Sequence, residues 1–243
     1  MKYLLWDFDG TLAYRDGNWS GALYSILFNN GITDITLDAL KLYLTKGFTW
    51  HNTEKSNKEL FGSKTWWEYY EDYFSNIFIE LGIQKNISDK ISKGIKKEYM
   101  DITKWHIYDD TIETLEGLIN KEYENIILSN HIPELKEIVK GLGIDKYFIN
   151  IYSSGNIGYE KPNSRIYEYV LNDAKINTDD CIMIGDSYSS DIQGGTKMGI
   201  KSILVRSENI NNYEYYCKDL WNITEEIEKY GFFPKIVDKD RKP

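Results

Sequence analysis

Short apolar runs recur along this 243-residue chain at residues 3–6, 125–128, 151–153, 181–184 and 203–205, and from the second onward helix-patterned stretches separate them. Parallel strands need a crossover between them, so this alternation predicts an α/β fold: a parallel sheet of about five strands with helices on both faces. The crossovers can be read individually. Asp109 or Asp110 can cap a helix whose buried stripe is Ile112, Leu115, Leu118 and Ile119. Pro133 fits the first turn of a helix carrying Leu135, Ile138, Val139 and Leu142, with Gly143 placed to close it. A third helix runs from about Asn163 with Ile166, Tyr167, Val170 and Leu171, and a short one through Gln193 and Met198 stops at Gly199.

The strand ends carry the chemistry. The first delivers Asp7-Phe8-Asp9-Gly10-Thr11, the second Ser129-Asn130, and the fourth Gly185-Asp186-Ser187 and then Asp191, while Lys161 stands just before Pro162. Side chains alternate along a strand, so Asp7 and Asp9 share a face, Phe8 points back into the protein, and Gly10 lets the chain turn away. Two close carboxylates are costly unless a cation sits between them or one takes up a proton. Singly, each feature has an ordinary explanation: an acidic turn, a capping hydroxyl, a solvated lysine, a helix-capping Asp191. Together they fall at the carboxyl ends of strands, where open α/β sheets bind ligands.

In this order the four motifs resemble the haloacid dehalogenase superfamily of hydrolases, over residues 2 to about 205. The resemblance implies a Rossmann-like doubly wound core formed by 1–13 and 106–243, with an all-helical cap, 14–105, inserted after the first strand. It further implies a Mg²⁺-dependent phosphatase acting on a small phosphate monoester. Asp7 would be the nucleophile that forms an aspartyl-phosphate, and Asp9 the general acid and base. Mg²⁺ would be held by Asp7, Asp186 and the main-chain carbonyl of Asp9. Lys161, Ser129, Asn130 and Thr11 would cradle the phosphate, and Asp191 would steer Asp186, Lys161 or a metal-bound water. Dehalogenases of the family lack an acid at the position of Asp9, since halide leaves without a proton, and the phosphonate-cleaving relatives use a cap lysine that has no evident counterpart here. A sugar phosphomutase shares the same acids and stays open. So do a non-catalytic binding protein and a phospho-accepting receiver, although receivers are shorter and lack both the insertion and Asp9.

Residues 14–105 carry helical spacing such as Leu37, Leu40, Leu44 and Tyr69, Tyr73, and hold Trp19, Trp50, Trp66, Trp67 and Trp105, which call for a core of their own. Trp66 and Trp67 read as core. By position in the family, Phe48, Trp50 and His51 fall where a specificity loop would be, with His51 open between a ligand contact and an exposed side chain. Acids and bases balance across this segment, so it forms no anion funnel. The net charge of −9 excludes a nucleic-acid backbone or an anionic membrane as the main partner and leaves a small phosphorylated metabolite. Cys181 and Cys217 show no metal-binding spacing and fit a reducing compartment. With no leader segment and no membrane-length apolar run, the expectation is a soluble, cytoplasmic protein of undetermined oligomeric state. The tail beyond Ser207 reads as packing with one helix near 224–230, and the charged run 238–242 as a solvated end.

Overall fold

The computed structural model describes residues 2–60, 62–209 and 211–234, so the charged run 238–242 lies outside the described residues. Strand β1 (Lys2–Trp6) leaves the first turn into a short antiparallel ribbon, β2 (Ala13–Arg15) with β3 (Trp105–Ile107). The other strands are β4 (Tyr123–Ser129), β5 (Asn150–Ser153), β6 (Cys181–Gly185), β7 (Lys201–Val205) and β8 (Tyr216–Cys217). They join β1 in a six-stranded sheet ordered β5-β4-β1-β6-β7-β8, parallel throughout. The sixth strand, β8, was not expected: only two residues long, it is made by pairing with β7 and has no periodicity of its own to read.

Among the described residues, five α-helices and three short 3-10 turns lie between β2 and β3, the α-helices being α1 (Asn18–Asn29), α2 (Leu37–Tyr43), α3 (Ser63–Glu80), α4 (Lys85–Ser92) and α5 (Ile95–Tyr99). The all-helical expectation for 14–105 therefore fails at both ends, where Tyr14, Arg15 and Trp105 belong to the ribbon. Tyr14 packs on His106, and the buried Arg15 guanidinium spends its donors on the carbonyls of Asp16, Asn18, Glu98 and Tyr99. Across the sheet the crossovers are α6 (Thr111–Asn120), α7 (Leu135–Gly141), α8 (Ser154–Ile157), α9 (Ser164–Ala174) and α10 (Gly194–Lys197), with α11 (Ile223–Lys229) in the tail.

Alternation sorts β1 between two cores. Leu4 and Trp6 join one face with Ile127, Ile182 and Ile184, while Leu5 joins the other with Ile126, Leu128 and Met183, against Ile166, Tyr167 and Val170 of α9. The first of these cores continues without a break through Phe8 and Trp105 into Trp19, Trp66, Trp67 and Phe74, so the tryptophans share the sheet's core instead of building a separate one. In α6 only Leu115 and Leu118 of the expected stripe are buried, and Ile112 and Ile119 are each 41% exposed. Asp110 does not cap α6 through its side chain. It pairs with the Arg206 guanidinium and accepts from the Leu220 N–H at 2.8 Å, binding the tail to the sheet's edge. No helix among the described residues is long and apolar enough to cross a membrane.

Candidate active site

Beyond Trp6 the chain stays tied to β6 through Asp7 N–H to Ile184 O at 2.9 Å, then turns back on itself as the Phe8 carbonyl accepts from Leu12 and Ala13. Asp7 and Asp9 are thereby presented at the carboxyl edge of the sheet, with Phe8 fully buried between them. Gly10 makes this turn with φ of 80°, and a Cβ there would sit 2.5 Å from Asp186 Oδ2, so both the conformation and the space require glycine. At the end of β6, a Cβ on Gly185 would meet Asp191 Oδ2 at 2.1 Å.

Lys161 enters from the loop before α9. Its ammonium group is 1% exposed and donates to Asp7 Oδ1 at 2.9 Å and Asp191 Oδ1 at 2.6 Å. Burial opposes its charge, but Asp191 and Asp7 outweigh that and hold it above its ordinary range. Asp191 gives its second oxygen to the Ser187 N–H at 3.0 Å, so both its oxygens are occupied with holding neighbours. Thr11 turns its hydroxyl to Asp186 Oδ1 at 3.3 Å. Asn130 braces Lys161: its oxygen accepts from the Lys161 N–H at 2.7 Å and its nitrogen donates one hydrogen to the Lys161 carbonyl at 2.9 Å, while the residue also lines the cavity above. A buried peptide needs both its polar groups paired, and Asn130 supplies both partners at once. Ser129 is buried at the end of β4, opposite Ser153.

A cavity of about 400 Å³ opens above these groups, with Asp7, Asp9, Asp186 and Ser187 on its floor and Trp19, Trp50, Tyr99 and His131 in its walls. Asp9, with its side chain 28% exposed, lines this cavity. Burial and then the charges of Asp7 and Asp186 push its carboxyl well above the usual carboxylate range. Asp186 is raised by the same causes, burial first and then Asp7 and Asp191. Carboxylate oxygens of Asp7, Asp186 and Asp191 lie within 4.8 Å of one another. All are hard oxygen donors in excess of the one buried ammonium, which is the donor set of a hard divalent cation; because Asp191 is already committed, Asp7 and Asp186 are the pair left to face it.

Of the expected specificity residues, only Trp50 reaches the cavity. Phe48 is 5% exposed and stacks between Trp50 at 4.2 Å and Tyr70 at 5.4 Å, as part of the aromatic core. His51 is exposed and borders a neighbouring depression with Asn52, Lys55 and Asn57. Three wall residues were not anticipated. His131 follows Ser129-Asn130 directly and could have been found by extending the strand-end motif one step. Trp19 and Tyr99 stack at 3.8 Å from α1 and α5, a pairing with no local signature. The walls are fastened to the sheet by Thr49 donating to Glu160 at 2.6 Å, and by Ser63, Trp67 and Lys96 converging on Glu134. Burial alone would raise Glu134, but these three donors more than offset it and hold it low.

Comparison with known proteins identifies the family and the fold. Residues 4–205 match the family described as haloacid dehalogenase-like hydrolase. A glyceraldehyde 3-phosphate phosphatase of Methanothermobacter thermautotrophicus is 34% identical over 103 residues, 42% of this chain and 45% of that protein. The pyrimidine 5'-nucleotidase PynA of Streptococcus pneumoniae is 26% identical over 87% of this chain and 86% of its own. The matched region thus spans about half the length of the first relative and most of the second. The crystal structure of an HAD phosphatase from Thermococcus onnurineus aligns over 96% of this chain and 99% of its own with a TM-score of 0.63; at 19% identity that likeness speaks to the fold.

Proposed function

The chain belongs to the haloacid dehalogenase-like hydrolase family, and from that premise we propose that it is a Mg²⁺-dependent phosphatase, cleaving a small phosphate monoester through an aspartyl-phosphate on Asp7. The observation that carries the reading is the contrast between two acids on one cavity floor. Asp7 is engaged by the Lys161 ammonium, whereas Asp9 has no ammonium or guanidinium partner among the described residues and is pushed toward its protonated form. An acid engaged by an ammonium beside one pushed toward its protonated form suits a nucleophile and a proton donor.

Mg²⁺, held by Asp7, Asp186 and the Asp9 carbonyl, would supply positive charge to the phosphoryl oxygens. The chain's own residues do the rest. Asp7 Oδ attacks phosphorus in line while Lys161 offsets charge on the transferring group. Asp9 gives its proton to the departing alcohol and then removes one from the water that attacks the aspartyl-phosphate. Asp191 and Asn130 hold Lys161 by its two ends, side chain and main chain. A sugar phosphomutase on the same fold is the alternative, and it differs in returning the phosphoryl group to the substrate instead of to water. We further read α1–α5 as the cap and the buried, unpaired Cys181 and Cys217 as fitting a reducing cytoplasm.

The direct test is inorganic phosphate release from p-nitrophenyl phosphate with and without Mg²⁺; no release in Mg²⁺ ends the phosphatase reading. A linked expectation concerns stability. In the folded protein the Asp9 and Asp186 carboxyls hold protons that the unfolded chain has already released, so their contribution is full below the ordinary carboxylate range. It is lost as pH rises toward their elevated folded values. In EDTA the melting temperature should fall between about pH 5 and pH 8, and Mg²⁺ should stabilise more at the higher pH, where protons no longer compete. A flat profile in EDTA would count against the acids being uncompensated.

Trp19, Trp50 and Tyr99 favour a leaving group with a flat or apolar face, which keeps pyrimidine 5'-nucleotides, named for the pneumococcal relative, among the esters to assay. Trp50→Ala should reorder kcat/KM across a panel of phosphate esters by about tenfold, with His51→Ala near parental. An equal response to the two changes would remove Trp50 as a specificity wall.

A further inference from the structure

His131 is held at every point except its ring nitrogens. Its main-chain N–H donates to the Ser154 hydroxyl at 3.0 Å, and its carbonyl accepts from Ser153 Oγ at 2.7 Å and from the Gly155 N–H at 3.1 Å. The ring stands edge-on to Phe8 at 5.7 Å and lies against Trp105 at 5.6 Å and Tyr99 at 6.1 Å. It is 3% exposed, and neither nitrogen completes a hydrogen bond. Leaving buried polar atoms idle costs about 1–3 kcal/mol each, so a ring fixed this firmly with both nitrogens unused points to a partner gained during turnover. Nε2 lies 3.5 Å from Asp9 Oδ2, and among the described residues no hydrogen bond or other ion pair reaches that carboxyl.

Resting on the phosphatase reading above, we propose that His131 is a positioning residue for Asp9: its Nε2–H donates to Asp9 Oδ2, which leaves the transferable proton on Oδ1, the oxygen that serves the leaving group. A neutral imidazole carries a single N–H, which the 3.5 Å approach to Asp9 assigns to Nε2. Oδ2 is an acceptor whether Asp9 is protonated or not, and the same bond therefore serves both halves of the reaction. In the first, the Oδ1 proton passes to the departing alkoxide oxygen and leaves Asp9 a carboxylate. In the second, Oδ1 takes a proton from the water attacking the aspartyl-phosphate, and Asp9 returns to its starting state. The imidazole neither gains nor loses a proton. Without it, the Asp9 proton is free to sit on either oxygen and the carboxyl is free to turn about its terminal torsion, and both freedoms reduce the fraction of productive encounters.

His131→Phe keeps the packing against Phe8, Trp105 and Tyr99 and deletes both nitrogens. Its kcat for an alkyl phosphate, which needs Asp9 both as acid and as base, should fall about 10- to 100-fold, while kcat for p-nitrophenyl phosphate, which needs Asp9 only for the water step, should fall less, by no more than about tenfold, with KM for both within about twofold. His131→Gln, which can still donate to Asp9, should recover part of the alkyl-ester rate. Equal losses on both esters, or no loss on either, overturn the proposal. A second arm is independent of turnover: in ¹⁵N-labelled protein the His131 ring should be the Nε2–H tautomer, with that proton's resonance moved by Asp9→Asn. The Nδ1–H tautomer, or no response to Asp9→Asn, also overturns it, even where His131→Phe does not fold. If the parent releases no phosphate from either ester the phosphatase reading falls, and the tautomer measurement still decides whether His131 holds Asp9.

Discussion

An Asp7→Asn variant is expected to lose at least about 10⁴-fold in phosphate release while melting no lower than its parent in EDTA. The amide keeps an oxygen to accept from Lys161, whose ammonium lies 2.9 Å from Asp7 Oδ1, so the packing of the floor is preserved. It cannot attack phosphorus as a carboxylate does. It also removes one negative charge from a floor where Asp7, Asp186 and Asp191 crowd within 4.8 Å around a single buried ammonium. Lost activity with unchanged or raised stability distinguishes a functional carboxylate from a structural one. Turnover within tenfold of the parent would remove Asp7 as the nucleophile, and a melting temperature several degrees lower would mean that its charge supports the fold.

Lys161→Met should have the opposite signature, a large loss of stability together with activity. Asp191 has a fully buried side chain, and among the described residues the ammonium is its one cationic partner, at 2.6 Å. Removing a single member of a buried pair costs about 3–5 kcal/mol, because the remaining charge stays dehydrated. For a chain of this size that corresponds to roughly 10 °C in melting temperature. The pairing itself can be tested by adding Asp191→Asn, which neutralises the orphaned acid. The double variant should melt higher than Lys161→Met alone, and simple additivity of two losses would show that the two side chains do not depend on each other. Thermal melts of the three variants in EDTA provide the measurement, and phosphate-release assays in Mg²⁺ record the loss of charge stabilisation at the phosphoryl group.

The amino-acid order made legible whatever is encoded over a few neighbouring residues. The five longer strands and the acids at their ends are of this kind, since burial on both faces makes each strand a continuous apolar run and the side chains just past each run gather at the sheet's carboxyl edge. Short pairings were not legible: β2, β3 and β8 exist because a partner lies alongside, and Tyr216–Cys217 alone carries no pattern. Residue roles set by tertiary partners were also misread. Asp110 sits where a helix cap belongs, yet Arg206 and Leu220 take its carboxylate. The cavity walls escaped for the same reason. Trp19 and Tyr99 are far apart in the chain, and only their stacking makes a surface that a ligand can meet.

The place of β1 in the sheet has a consequence for biosynthesis. Leu4 is hydrogen-bonded between strands that carry Asn125 and Ile182, so the middle of the sheet leaves the ribosome long before either edge that will cover it. Until β4 emerges, the apolar Lys2–Trp6 segment has neither of its hydrogen-bonding neighbours, and until β6 emerges it still has one open side. Ribosome-stalled chains ending before Cys181 should accordingly be protease-sensitive in the Lys2–Trp6 segment and bound by chaperones that recognise extended apolar segments, with protection arriving in one step once β6 has cleared the exit tunnel.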